Sequence, residues 1–192
     1  MSNYRRPRVT GASIFFSVAL AGRGGDILLR YADALREAVT VTRNERPFGI
    51  DAFVVLPDHV HAVWTLPPGD RDYGMRWGAI KARFTRAVKS SGRVGLHPTN
   101  GAAVGCNPTL RRSRSKVKKG DAGVWQRRFW EHHIRDQADF AAHIRYCWMN
   151  PVKHGLVERA VDWPLSSIHR DIRRGMVEPD WAGMMPEGQF GE

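Results

Sequence analysis

A chain of 192 residues with 42 % apolar side chains can bury one full hydrophobic core, and it holds no apolar run near the ~20 residues that span a bilayer. Its 30 lysines and arginines against 19 acidic residues leave a net charge of +11, which suits a protein that neutralises phosphates and makes nucleic acid the first partner to expect. Cys106 and Cys147 are far apart and without a CxxC partner, which argues against a disulfide framework or zinc knuckle; MSNYRRPRVTGASIFF lacks a secretory h-region, so a cytoplasmic protein is expected.

The basic arm NYRRPRV leads into GASIFFSVAL, where Ile14, Phe16, Val18 and Leu20 alternate with smaller neighbours and predict a first strand buried mainly on one side. Leu28, Tyr31, Leu35, Val39 and Thr42 then recur at helical spacing, with Asp26 at the N-cap position and Pro47 as the stop. In FGIDAFVVLPDHVHAVWTLPP two β-rich runs flank Pro57-Asp58, the turn of a hairpin. A second helix is expected from about Tyr73 to Lys89. Trp77, Ile80, Phe84 and Val88 line one side, and Arg76, Lys81, Arg83 and Arg86 surround the rest, a basic face that either follows a phosphate backbone or meets water.

Residues 90–123 are rich in Gly, Ser, Asn and Pro, carry the run RRSRSKVKK, and are expected to form a mobile basic insertion. VWQRRFWEHHIRD returns to a strand-like pattern, Asp136 to Asn150 reads as a helix, and DWPLSSIHRDIRRG belongs to a tail of short elements over 161–192. The order strand, helix, hairpin, helix, strand, helix predicts an α+β domain over residues 1–160. Its helices would pack on one face of an antiparallel sheet of ferredoxin-like topology, leaving the other face for use.

LPDHVHAVW raises the functional question. On a strand His59 and His61 project to one side while Val60, Ala62 and Trp64 project to the other, and two imidazoles one strand repeat apart can converge on a cation. HxH alone is a weak signal, so a second element must supply complementary groups. In DQADFAAHIRYCWMN, helical spacing puts His143, Tyr146 and Asn150 near one another beside an apolar stripe of Phe140, Ile144, Cys147 and Trp148. The Asn150 amide oxygen could complete a three-ligand site, although the following Pro151 leaves helix termination at Asn150 open. Nitrogen donors with one amide oxygen suit Mn²⁺ or another transition ion at least as well as Mg²⁺. His132 and His133 are adjacent and so face opposite sides of a strand, which argues against their joining Cys147 around an ion.

The ordered series LPDHVHAVW, WQRRFWEHHIRD, HIRYCWMNPVKHGLV and DWPLSSIHR, with the start NYRRPRVTGASIFFSV, resembles the REP-associated tyrosine transposases, relatives of the single-tyrosine HUH transposases of small insertion sequences. The resemblance covers most of residues 3–170, apart from the insertion. It implies a metal-dependent endonuclease and strand transferase acting on single-stranded DNA beside hairpins of repetitive extragenic palindromes, located in the cytoplasm at the nucleoid.

Under that resemblance His59 and His61 are the HUH metal ligands, Asn150 stands where many relatives have glutamine, and Tyr146 is the nucleophile that forms a 5′-phosphotyrosine. His143, one turn earlier, is a candidate base for the phenol. DNA contacts are expected from Arg5, Arg6 and Arg8 in the arm, Arg76, Lys81, Arg83 and Arg86 on the second helix, and Arg127 and Arg128, with Trp125, Phe129 and Trp130 as stacking candidates. The cofactor expected is a divalent ion, Mg²⁺ or Mn²⁺, and the assembly a monomer or homodimer. A domesticated protein that binds palindromes without cutting them is the alternative.

Overall fold

The computed structural model describes Pro7, residues 9–22, 24–91 and 123–186, and Phe190. Arg5, Arg6, Arg8 and the basic run 111–119 lie outside the described residues, as does most of the expected insertion.

Four strands, β1 (Ser13–Ala19), β2 (Gly49–Val55), β3 (His59–Thr65) and β4 (Trp130–His133), form one antiparallel sheet in the order β2-β3-β1-β4. A short α1 (Ile27–Arg30) and α2 (Ala32–Glu45) connect β1 to β2, α3 (Tyr73–Ser91) follows β3, and α4 (Gln137–Lys153) follows β4. This is the ferredoxin-like α+β topology the chain order predicts. Tyr31 interrupts what periodicity alone makes a single helix, and Asp26 makes no side-chain cap there, its carboxylate pairing with Arg30 instead.

Both faces of the sheet are buried, a change from the one-sided strand expected. The reason is visible in β1, where Phe15 and Phe16 are consecutive and so lie on opposite faces, each needing cover. On one side Phe16, Val18, Val60, Ala62 and Trp64 pack against Leu35 and Val39 of α2 and Trp77, Ile80 and Phe84 of α3. Trp64 and Trp77 stack with centroids 4.3 Å apart and rings 14° from parallel. Burying each such side chain contributes roughly 1.5–3 kcal/mol, so this layer is the main anchor of the domain. On the other side Phe15, Ala52, Val54 and Val63 pack under α4 through Tyr146 and Cys147.

α4 starts at Asp136, whose extended backbone and side chain cap the helix by accepting from the Asp139 N–H at 2.8 Å. It continues through Asn150 and Pro151 to Lys153, so Asn150 does not terminate it. Pro151 falls in the last turn, so the one bond its missing N–H costs leaves little helix beyond it to kink, and Gly155 at φ 64° turns the chain out. A 3₁₀ turn (Ala160–Asp162) and α5 (Ile168–Arg173) follow. This segment lies against the outer side of β2: Val55 N donates to Leu165 O, Ser167 N to Phe53 O, Trp163 Nε1 to Val55 O, and the Arg170 guanidinium to Ile50 O and Asp51 O. Among the described residues no helix is long and apolar enough to cross a membrane.

Candidate active site

The pleat of β3 does what its sequence predicts: Val60, Ala62 and Trp64 enter the α2/α3 layer, and His59 and His61 face α4. Their partners in β1 are small, Ala19 opposite His59 and Ser17 opposite His61, which leaves room for two rings on one face. The imidazole centroids are 4.8 Å apart, and His61 is buried and stacked on Phe15 at 5.4 Å. His59 Nδ1 is 2.7 Å from Asp58 Oδ1. A carboxylate only accepts, so in the neutral ring the hydrogen sits on Nδ1 and the lone pair on Nε2. That Nε2 is buried and has no hydrogen-bond partner among the described residues. A carboxylate-oriented imidazole with an unengaged lone pair, beside a second imidazole, fits a divalent-metal ligand.

α4 crosses this pair. Tyr146 meets His61 edge-on with centroids 5.2 Å apart, and His154, which caps the helix, meets His59 at 5.1 Å. Asn150 is four residues from each, so it falls between the two contacts, and it is fully buried. The two expected histidine ligands and the expected nucleophile therefore come together although they are more than eighty residues apart in sequence. Lys153 Nζ donates to Tyr146 Oη at 3.3 Å. The Tyr146 ring is only 1 % exposed, with Phe190 stacked on it at 4.1 Å and Phe15 edge-on at 5.7 Å.

Sequence reasoning passed over Lys153 and His154. The signal was available: residues seven and eight after Tyr146 return to the face of Tyr146 and Asn150.

A second polar cluster joins β4 to the start of α4. Asp139 accepts from His132 Nε2 at 2.8 Å, from Arg135 N at 3.0 Å and from Arg135 Nε at 3.1 Å, and its other oxygen lies 3.0 Å from His143 Nδ1. Burial alone would raise this carboxyl, but the His132 hydrogen bond and then those of Arg135 outweigh it and hold the group well below the usual carboxylate range. His132, Asp139 and His143 each bring a potential ligand atom within 4.8 Å of the others. A guanidinium already sits on the carboxylate, however, and His143 Nδ1 also bonds Asp139 O at 2.9 Å. The arrangement is a hydrogen-bond hub that seats α4 on β4.

His143, the expected base, is thus turned toward Asp139; its Nε2 is buried with no hydrogen-bond partner among the described residues, so it makes no hydrogen bond to the Tyr146 hydroxyl. Burial pushes its pKa down, partly countered by the Asp139 carbonyl. His133 faces the other side, edge-on to Tyr73, and Cys147 is buried with its thiol pushed up by desolvation, so these do not converge with His132.

The basic residues divide. Lys81, Arg86 and Arg127 line an open cleft of about 490 Å³ with Lys89 and Trp125, on the α3 side of the sheet, and Arg128 is exposed nearby. Arg83 instead grips Glu45 through two 2.6 Å bonds. Arg76 is buried, its donors used on Arg46 O, Pro47 O and Asp70, so it does not offer its charge to a phosphate. Trp125 packs on Phe84 and Phe129 on Phe16, which makes both part of the core rather than open stacking platforms. Trp130, 37 % exposed, is the ring presented on the histidine face, beside Phe15 and His132.

No protein-family profile matches the chain. It is 39 % identical over 192 residues, all of its length and 98 % of the relative's, to the REP-associated tyrosine transposase of Escherichia coli strain K12. A Haemophilus influenzae protein described in the same terms is 39 % identical over 183 residues, 95 % of this chain and 94 % of that one. Among solved structures, a REP-associated tyrosine transposase bound to a REP hairpin superposes with a TM-score of 0.80 at 39 % identity, covering 100 % of this chain and 98 % of that one.

Proposed function

Because the chain belongs to the REP-associated tyrosine transposase family, we propose that it is a metal-dependent endonuclease and strand transferase. It acts on single-stranded DNA beside palindromic hairpins such as REP elements, in the cytoplasm at the nucleoid. The observation that carries this reading is the 5.2 Å approach of the Tyr146 ring to His61, which is paired with His59 on the same face of β3.

A divalent ion, Mg²⁺ or Mn²⁺, held by His59, His61 and the Asn150 amide oxygen would supply charge neutralisation on the scissile phosphate. Asp58 fixes the His59 tautomer with its lone pair available. Tyr146 Oη attacks the phosphorus in line with the departing 3′-oxygen, leaving a 5′-phosphotyrosine and a free 3′-hydroxyl. One phosphodiester replaces another, so a second DNA 3′-end can reverse the step without ATP. The packing of the Tyr146 ring against Phe15 and Phe190 fixes the direction in which its hydroxyl points. The basic cleft of Lys81, Arg86, Lys89 and Arg127 binds duplex or hairpin phosphates, and Trp130 stacks on an unpaired base near the site.

The test is a labelled hairpin oligonucleotide with a single-stranded extension, incubated with protein and Mn²⁺ and run on a denaturing gel. Label travels with the wild-type protein and not with Tyr146→Phe. Free label in both lanes, with the hairpin still bound under native conditions, would favour a palindrome-binding protein that does not cut.

A further inference from the structure

We propose that Lys153 is a catalytic residue of this reaction, the cation that stabilises negative charge on Tyr146 Oη. The proposal rests on Tyr146 being the nucleophile. Lys153 follows it by seven residues, two helical turns, so both lie on the face of α4 that meets the histidine pair. Its Nζ donates to Tyr146 Oη at 3.3 Å and stands 5.2 Å from the ring centroid. A lysine in the last turn of a helix ordinarily stays in water near the terminal carbonyls. This one is exposed along its length, yet its ammonium is folded back onto the reacting oxygen.

Charge appears on that oxygen on both sides of the chemistry. In cleavage the P–Oη bond forms as P–O3′ breaks; the electron pair leaves with the 3′-oxygen, which takes a proton from water, the phenolic proton having gone to water. In joining, a DNA 3′-hydroxyl attacks the same phosphorus, P–Oη breaks, and its electron pair returns to Oη. An ammonium fixed beside Oη lowers both barriers and keeps its own proton throughout. His143, the other nearby candidate, is committed through Nδ1 to Asp139.

The full-length protein, its Lys153→Met, Lys153→Gln and Lys153→Arg variants, and the labelled hairpin oligonucleotide decide the matter. Adduct formation and adduct resolution by an added 3′-hydroxyl oligonucleotide are timed at single turnover with saturating DNA and Mn²⁺, hairpin affinity by anisotropy and folding by circular dichroism. Met and Gln are expected to slow both steps about a hundredfold, as loss of one preorganised donor does, with hairpin affinity within about twofold and Arg retaining activity to within about tenfold. A Met variant as fast as wild type overturns the proposal. So does a deficit that saturating DNA removes, which would make Lys153 a phosphate contact. Absence of any adduct in the wild-type lane overturns the Tyr146 reading instead, and the Lys153 proposal with it.

Discussion

Replacing Asp139 by asparagine isolates the hub between β4 and α4. The Asp139 side chain is 8 % exposed, and His143, also buried, lies against one of its oxygens while His132 donates to the other. The amide oxygen can stay with His132 and Arg135, which turns the NH₂ toward His143, whose Nδ1 keeps the Asp139 carbonyl oxygen at 2.9 Å. The change removes one charge-assisted hydrogen bond, about 1.5–3 kcal/mol, and leaves neither histidine donor without an acceptor. The Arg135 pair adds little, because that side chain is 75 % exposed. A loss near 2 kcal/mol corresponds to a Tm lower by about 4–8 °C for a chain of this length. The sign with pH follows from a carboxyl held low in the folded state. The contribution is fully present above the ordinary value near 4 and is lost only as pH falls through the folded value. Because the Asp139 carboxylate also holds the His143 pKa up, the deficit of Asp139→Asn, read from urea midpoints and thermal melts, should be somewhat larger at pH 5.5 than at pH 8. A Tm change under about 2 °C at pH 7.5 would refute the view that this hub seats the helix.

His143 titrates in the opposite region of the scale but with the same sign: its pKa is pushed down by burial, so stability is full above about 6.5 and declines as pH falls below it, and the urea midpoint should drop between pH 7.5 and 5.5, less so in His143→Gln. Asp58→Ala should weaken Mn²⁺ binding about 10–100-fold by calorimetry, since it frees the His59 tautomer, while His59→Ala should abolish it. Lys81→Ala, Arg86→Ala and Arg127→Ala should each weaken hairpin binding and lower the salt slope by about one, whereas Arg76→Ala should leave the slope unchanged and lower Tm.

The sheet topology, the face of β3 that carries the histidines and the meeting of Tyr146 with His61 follow from patterns of period 2 and 3.6, which are local properties of the chain. Other features depend on partners that no local pattern reveals. Arg76 looks like its basic neighbours until the β2 approach and Asp70 close around it, and Trp125 looks like a stacking ring until Phe84 covers it. The Asp139 hub was hidden because its three members come from a strand and a helix start, and adjacency in sequence drew attention to His132 with His133 instead. Pro151 suggested a helix end by the ordinary bias of the preceding residue; tertiary packing of α4 on the sheet overrides that bias.

The segment that follows α4 occupies the backbone of β2 with Leu165, Trp163, Ser167 and Arg170. An outermost strand with unused amides and carbonyls invites another polypeptide to add itself as a fifth strand, the usual route to sheet-extended dimers and to fibrils. Here that invitation is withdrawn on one flank. Among the described residues, the flank left for continuous main-chain pairing is the four-residue β4 on the opposite side, next to the very ring, Trp130, that the nucleic acid is proposed to use. Self-association of that kind and DNA occupancy would then compete for the same border of the molecule.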